Sequence, residues 1–231
     1  MFMLIAGLQK LTLLDYPGKT ACTVFTPGCN FRCPFCHNAL LVTEKPDEFI
    51  SEDEFFVFLN KRTGILDGVC ITGGEPTLQK DLVVFMEKIK AKGFLLKLDT
   101  NGYKPDILKE IIEKDLADYI AMDIKASPEK YPQATSINDF DFSLIKESID
   151  FIEKSGIPHE FRTTVTAELH SENDFEKILS LFSCETPYFL QQFKDSGNLI
   201  DGSCSGWDTE RMKSLTEKLC LSHKNVHLRE G

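Results

Sequence analysis

Three cysteines at CxxxCxxC spacing, Cys29-Asn-Phe-Arg-Cys33-Pro-Phe-Cys36, are the residues of this chain best suited to chemistry. Thiolates bind soft and borderline metals and iron–sulfur clusters. A cubane cluster takes four ligands and this knot supplies three, so one iron is left open to a substrate or cosubstrate. Structural zinc is the alternative, and it wants a fourth Cys or His, usually in a paired knuckle. No second CxxC exists, although His37 adjoins Cys36 and could be recruited. The spacing favours a cluster with an open iron, a reading that stands or falls with its context.

Further along, Gly73-Gly74-Glu75-Pro76 follows an apolar run. Glycines let a backbone approach a ligand closely. A backbone carbonyl together with Glu75 offers acceptors for an ammonium group, though a plain loop explains a lone Gly-Gly equally well. Leu98-Asp99-Thr100-Asn101-Gly102 and Met122-Asp123-Ile124-Lys125 each end an apolar stretch with a carboxylate. Strand alternation puts Asp123 and Lys125 on one face. In an arbitrary barrel such a pair is more often structural than functional. Arg162 reads equally as a barrel salt bridge or as an active-site cation.

These groups need a frame. Ala21–Thr26, Gly68–Thr72, Phe94–Asp99, Asp118–Ile124, His159–Thr166 and Tyr188–Phe193 are short, apolar runs expected to be buried strands. Between them lie helical patterns. One starts at a capping box, Ser51 to Glu54; others run over 78–92, 142–155, 174–182 and 209–222, and another opens at Pro105. Residues 3–14 suit an entry strand or hairpin arm, Asp15-Tyr16-Pro17-Gly18 is a turn, and Val226–Leu228 is a short final strand or nothing. Repeated strand–helix alternation predicts an α/β fold of parallel βαβ units. Chemistry in such barrels gathers at the carboxyl ends of the strands, where every motif above sits.

The chain has 231 residues, 42% of them hydrophobic and 27% charged, with a formal net charge of −10. An acidic balance argues against a nonspecific nucleic-acid binder. No run approaches a membrane span, and Met1–Gly7 is too short for a signal peptide. Eight cysteines without a dense, short framework suit a reducing cytoplasm. Cys22 and Cys70 are expected to be buried small hydrophobes, and Cys184, Cys204 and Cys220 have no ligand spacing. The Gly197–Gly206 stretch is expected to be a loose, Gly-Ser-rich loop.

The cysteine knot and Gly73–Pro76 together resemble the radical SAM superfamily, whose three cysteines hold a 4Fe-4S cluster while S-adenosylmethionine (SAM) chelates the fourth iron. Leu98–Gly102 and Met122–Lys125 resemble its glycyl-radical-enzyme activating enzymes. Leu14-Asp15-Tyr16-Pro17-Gly18 and Cys36-His37-Asn38 look most like the activating protein of the anaerobic ribonucleoside-triphosphate reductase. The resemblance spans about residues 5–195 and implies a partial, open (β/α)6 barrel of the radical SAM type, a single domain over 1–231, with one cluster. It implies that Cys29, Cys33 and Cys36 ligate the cluster, that Phe35 and His37 lie near the adenine, and that Gly73, Gly74 and Glu75 receive the methionine amine. It further implies that Asp99, Asp123 and Lys125 face the ribose and carboxylate, with a monovalent cation beside them, and that Arg162 lies near the site. Gln191-Gln192-Phe193-Lys194 departs from the Pro-Tyr-His run of some relatives, which leaves the sixth-strand contact open, with Gln191 as the candidate.

The implied activity is reductive cleavage of SAM to a 5′-deoxyadenosyl radical, which takes a hydrogen from one glycine of a partner. That partner is expected to be an anaerobic ribonucleoside-triphosphate reductase, or else an enzyme of the pyruvate formate-lyase type. Flavodoxin or ferredoxin is the expected electron donor. Two other readings stay open: a radical SAM enzyme acting on a small molecule, of the 7-carboxy-7-deazaguanine synthase type, and a noncatalytic metal-binding module.

Overall fold

The apolar runs of the sequence become the strands of one sheet. The computed structural model describes residues 2–44, 46–195 and 197–229, so the Met1–Gly7 run begins outside the described residues. The strands are β1 (Gly7–Thr12), β2 (Ala21–Thr26), β3 (Gly68–Gly73), β4 (Leu95–Thr100), β5 (Tyr119–Asp123), β6 (His159–Val165), β7 (Tyr188–Gln192) and β8 (Val226–Arg229). They lie side by side in chain order. β1 pairs antiparallel with β2, and every later pairing is parallel. Among the described residues β1 and β8 do not pair, so the sheet stays an open, partial barrel. The six predicted strands are β2 to β7. An antiparallel strand extends one edge, and a four-residue parallel strand extends the other.

Helices cover the outside: α1 (Ala39–Thr43), α2 (Glu52–Asn60), α3 (Leu82–Lys90), α4 (Pro105–Glu113), α5 (Tyr131–Thr135), α6 (Phe142–Ser155), α7 (Glu172–Leu179) and α8 (Thr209–Leu219). The predicted capping box forms at α2: Glu54 N–H donates to the Ser51 hydroxyl at 3.2 Å, and Ser51 N–H donates to the Glu54 carboxylate at 2.9 Å. α6 buries Ile145, Ile149 and Ile152 at helical spacing. Each contributes roughly 1.5–3 kcal/mol relative to an exposed position.

Two helix starts differ from expectation, for local reasons. The helix expected from Leu78 begins at Leu82, because Glu75 caps a separate 3-10 turn over Pro76–Leu78. α7 begins before Asp174, because Ser171 and Asp174 make a second capping box. α1 and α5 arise where no helix was expected, each only five residues long.

The inside of the sheet is not uniformly apolar. Lys97 and Asp99 of β4, Asp123 of β5, Glu160 and Arg162 of β6 and Gln191 of β7 line its cavities. Lys97 is 2% and Glu160 1% exposed. Buried charges survive only when paired: strand register sets Asp123 opposite Arg162, and Arg229 of β8 reaches Glu160 of β6 at 3.1 Å.

Candidate active site

The chain leaves β2 through Pro27 and Gly28 into the cysteine loop. Gly28 adopts a φ of 79°, a region glycine enters without strain. Its N–H donates to the Leu41 carbonyl at 2.7 Å, so α1 holds the loop's entrance. Cys36 N–H donates to the Cys33 carbonyl at 3.1 Å, closing a tight turn between the last two thiols. Arg32 Nη1 donates to the Cys29 and Phe31 carbonyls at 2.7 and 2.9 Å. Arg32 N–H donates to Thr135 O at 2.9 Å, which ties the loop to α5. Phe31, Phe35 and Phe193 pack with Cys33 and Cys204 in one apolar cluster. Burial pushes the Cys33 thiol up to about 12, against the pull of Lys125. Burial and the Glu75 carboxylate push Cys29 up to about 11.

The Gly73–Glu75 turn after β3 presses directly on this loop. Glu75 N–H donates to the Gly28 carbonyl at 2.8 Å. A Cβ on Gly74 would stand 1.9 Å from that same oxygen, so only glycine fits the crossing. The Asn38 side-chain amide donates to the Gly73 carbonyl at 2.8 Å. Glu75 is 1% exposed. Its Oε1 accepts from Thr77 N–H, the Thr77 hydroxyl and the Thr100 hydroxyl, at 3.1, 2.6 and 2.8 Å. Its Oε2 accepts from Asn101 N–H at 2.7 Å. Glu75 therefore staples the β3 turn to the β4 turn. Burial raises its carboxyl, and these donors oppose the rise.

Across the remaining strand ends runs a ladder of charges. Lys97 Nζ donates to Asp99 Oδ1. Arg162 reaches Asp99 Oδ2 through Nη1 at 3.2 Å and Asp123 Oδ1 through Nε at 2.7 Å. Lys125 Nζ closes the ladder on Asp123 Oδ2 at 2.9 Å. Burial works to raise both carboxyls, but Arg162 and the lysines outweigh it and hold Asp99 and Asp123 below the usual carboxylate range. Burial acts to lower Lys125, yet Asp123 and the neighbouring thiols raise it further. The backbone of Lys125 is fixed as well. Its N–H donates to the Tyr131 hydroxyl at 3.1 Å, and its carbonyl accepts from His170 Nε2 at 3.1 Å. His170 Nδ1 accepts from Thr166 N–H at 3.1 Å, so Nε2 carries the proton.

One cavity of about 210 Å³ joins these parts. Every residue singled out from the sequence lines it: Cys29, Cys33, Cys36, Phe35, His37, Gly73, Gly74, Glu75, Asp99, Asp123, Lys125 and Arg162. Gln191 lines it too, beside the Thr164 hydroxyl at 3.4 Å. His37 sits at the exposed rim with its ring 5.7 Å from that of Phe193. Among the described residues, no three Cys, His, Asp or Glu groups converge closely enough to hold a single metal ion. All eight cysteines are free thiols. Cys22 and Cys70 are buried as expected, whereas Cys184 and Cys220 are exposed.

Sequence reasoning missed several members of the site. Lys97 was legible only as a lysine inside an apolar run. Asn38, Thr100 and Asn101 gave no signal beyond their place within motifs. Asn101 Nδ2 donates to Asn30 Oδ1 at 2.8 Å and lies 3.7 Å from Cys29 Sγ. Cys204, expected on a loose loop, is instead buried against the cysteine loop. Its loop is pinned by Ser205 N–H on Glu168 at 3.0 Å and by Asp201 N–H on the Pro34 carbonyl at 3.2 Å.

Known proteins resemble this chain in sequence and in fold. The family model of the radical SAM superfamily matches residues 23–182. A protein of Methanocaldococcus jannaschii named "Putative glycyl-radical enzyme activating enzyme MJ1227" is 36% identical over 200 residues, covering 83% of this chain and 80% of that protein. A 7-carboxy-7-deazaguanine synthase of Koribacter versatilis is 27% identical over 170 residues, covering 71% of this chain and 70% of its own. Streptococcus suis SuiB bound to S-adenosylmethionine superposes with a TM-score of 0.69 at 12% identity, over 88% of this chain and 48% of the SuiB chain. That likeness bears on the fold alone.

Proposed function

The chain belongs to the radical SAM superfamily, and on that premise we propose that it is an activase that installs a glycyl radical on a partner enzyme. The partner that fits best is an anaerobic ribonucleoside-triphosphate reductase, with a pyruvate formate-lyase-type enzyme second. The observation that carries the reading is the convergence, in one cavity, of three thiols, a glycine turn and a charge ladder drawn from successive strand ends. The similarity to the Methanocaldococcus protein supports the activase branch over the synthase branch, by higher identity over more of the chain.

The residues fit a 4Fe-4S cluster with SAM. Burial makes the Cys33 and Cys29 thiols resist ionising alone, and a cationic iron cluster offsets that cost. Asn30 Nδ2 is a buried donor without a partner beside Cys29, available to a cluster sulfur. Cys29, Cys33 and Cys36 would hold the cluster, and the Gly73–Glu75 turn, Asp123 and Lys125 would hold SAM. When bound, these groups supply one-electron cleavage of the SAM carbon–sulfur bond and hydrogen abstraction from a glycine Cα.

The rest is this chain's own work. Phe31, Phe35 and Phe193 pack an apolar wall against the cysteine loop. Lys125, held at both backbone ends, keeps its ammonium in the cavity with donors to spare for a carboxylate. Phe35 and His37 offer ring surface at the cavity edge, where an adenine would stack. A glycine target has no side chain to obstruct approach. No helix among the described residues is long and apolar enough to cross a membrane. A reducing cytoplasm, with flavodoxin or ferredoxin as donor, suits the free thiols.

Electron paramagnetic resonance tests the proposal. Reconstituted protein, SAM, reductant and an anaerobic ribonucleoside-triphosphate reductase should give a glycyl radical signal. SAM cleavage without a radical on that reductase or on a pyruvate formate-lyase-type enzyme would point instead to a small-molecule substrate, as the 27% identity to a 7-carboxy-7-deazaguanine synthase would then explain.

A further inference from the structure

The geometry points to Arg162 as a built-in cation that takes the place of a monovalent metal ion in the cavity, so that SAM binding by this chain needs no alkali metal. The inference rests on the SAM reading above. The resemblance drawn from the sequence implied such an ion beside Asp99 and Asp123, and the residues do not fit it.

All four oxygens of these two carboxylates are already engaged by cations. Asp99 gives Oδ1 to Lys97 and Oδ2 to Arg162 Nη1 at 3.2 Å. Asp123 gives Oδ1 to Arg162 Nε at 2.7 Å and Oδ2 to Lys125 at 2.9 Å. The nearby Thr100 hydroxyl is taken too, donating to Glu75 at 2.8 Å and accepting from Gly102 N–H at 3.1 Å. An alkali ion would have to displace Arg162 or settle beside it against like charge.

A guanidinium suits the position. It is planar, permanently charged, and reaches two carboxylates at once through different nitrogens. It is also tethered, and so is present in every molecule whatever the salt outside. A third carboxylate backs the guanidinium: Glu160 lies 3.9 Å from Arg162 Nη1 and is itself held by Arg229 at 3.1 Å and the Tyr119 hydroxyl at 2.9 Å.

The test is a SAM titration of the reconstituted holoprotein, with iron assayed separately, in choline, sodium and potassium chlorides at equal ionic strength. The expected dissociation constants agree within about twofold across the three salts, because no metal ion takes part. Tightening by about tenfold or more in sodium or potassium over choline would overturn the inference. Arg162→Gln should weaken binding in choline and recover in part when sodium or potassium is added. If that variant does not fold, Arg162→Lys, which keeps the charge but loses the fork, should show a smaller response in the same direction. A folded Arg162 variant that binds SAM in choline as tightly as the parent would also count against it. Absence of SAM binding in all three salts would remove the SAM reading itself, a result distinct from activation by a cation.

Discussion

The backbones of Gly28 and Gly74 cross in contact: a Cβ on Gly74 would lie 1.9 Å from the Gly28 carbonyl oxygen. The oxygen belongs to the main chain and is fixed by its bond from Glu75 N–H at 2.8 Å. Gly74→Ala should therefore force the cysteine loop away from the β3 turn and cost about 1–3 kcal/mol of stability, the usual range for overpacking. Thermal melts of the iron-free protein read this directly, and an unchanged melting temperature would show that the loops are not locked together.

Cys33→Ala should fold and fail to hold iron. Parent protein is expected to carry about four irons per chain after reconstitution, the content of one cubane cluster. Cys33 is 7% exposed at the centre of the loop. Cys184 is an exposed free thiol, so Cys184→Ser should keep the parent's iron and colour. Iron loss in the Cys184 variant, or iron retained in the Cys33 variant, would show that the ligands have been misassigned.

For Lys125→Ala the expected loss is in SAM affinity rather than in iron. One charge-assisted contact is worth roughly 1.5–3 kcal/mol, a ten- to hundred-fold change in dissociation constant. Were Lys125 only a partner for Asp123, the variant would melt earlier and bind SAM normally.

Glu75→Gln tests the staple between the β3 and β4 turns. Each carboxylate oxygen accepts from a fixed backbone N–H, Oε1 from Thr77 and Oε2 from Asn101. Whichever way a glutamine amide is turned, its NH₂ faces one of those donors. The expected cost is about 1–3 kcal/mol, the price of a buried donor left unsatisfied. Equal melting temperatures for the two proteins would mean the turns are held by something else.

Stability should also fall on mild acidification, through His170. Burial holds this imidazole below its ordinary value, against hydrogen bonds that favour its charged form. Its folded value lies below the unfolded one, so the unfolded chain binds more protons in the window between them. The stability is complete above the unfolded value of about 6.5 and declines as pH drops toward the folded value. Glutamine supplies one acceptor and one donor without titrating. His170→Gln should accordingly flatten the dependence of melting temperature on pH between about 5 and 7, and parallel curves for the two proteins would exclude this origin.

What the sequence made legible was local or periodic. Ser51 and Glu54 announce a helix start because their bonds span three residues, and the parallel strands announce themselves as apolar runs. The site motifs were legible because each sits at a strand's end. α1 and α5 were not, because five residues make too short a helix to stand on propensity. They persist through contacts such as Leu41 with Gly28 and Thr135 with Arg32. Asn38, Asn101 and Lys97 were missed for a related reason. The bonds of Asn38 and Asn101 reach residues 35 and 71 positions away, and the role of Lys97 depends on which strands lie beside it.

The strand order also sets a timetable. Each strand pairs with the one made just before it, so the sheet can grow as the chain emerges from the ribosome. The thiols come early, but the far wall of their cavity, Arg162 and Gln191, comes late. About 160 residues separate Cys29 from Gln191, which at about 5–20 residues per second means roughly 8–32 seconds of synthesis. Through that interval the nascent chain has the three thiols without the far wall of their cavity. If they hold a cluster as proposed above, its loading would belong after β7 has been made.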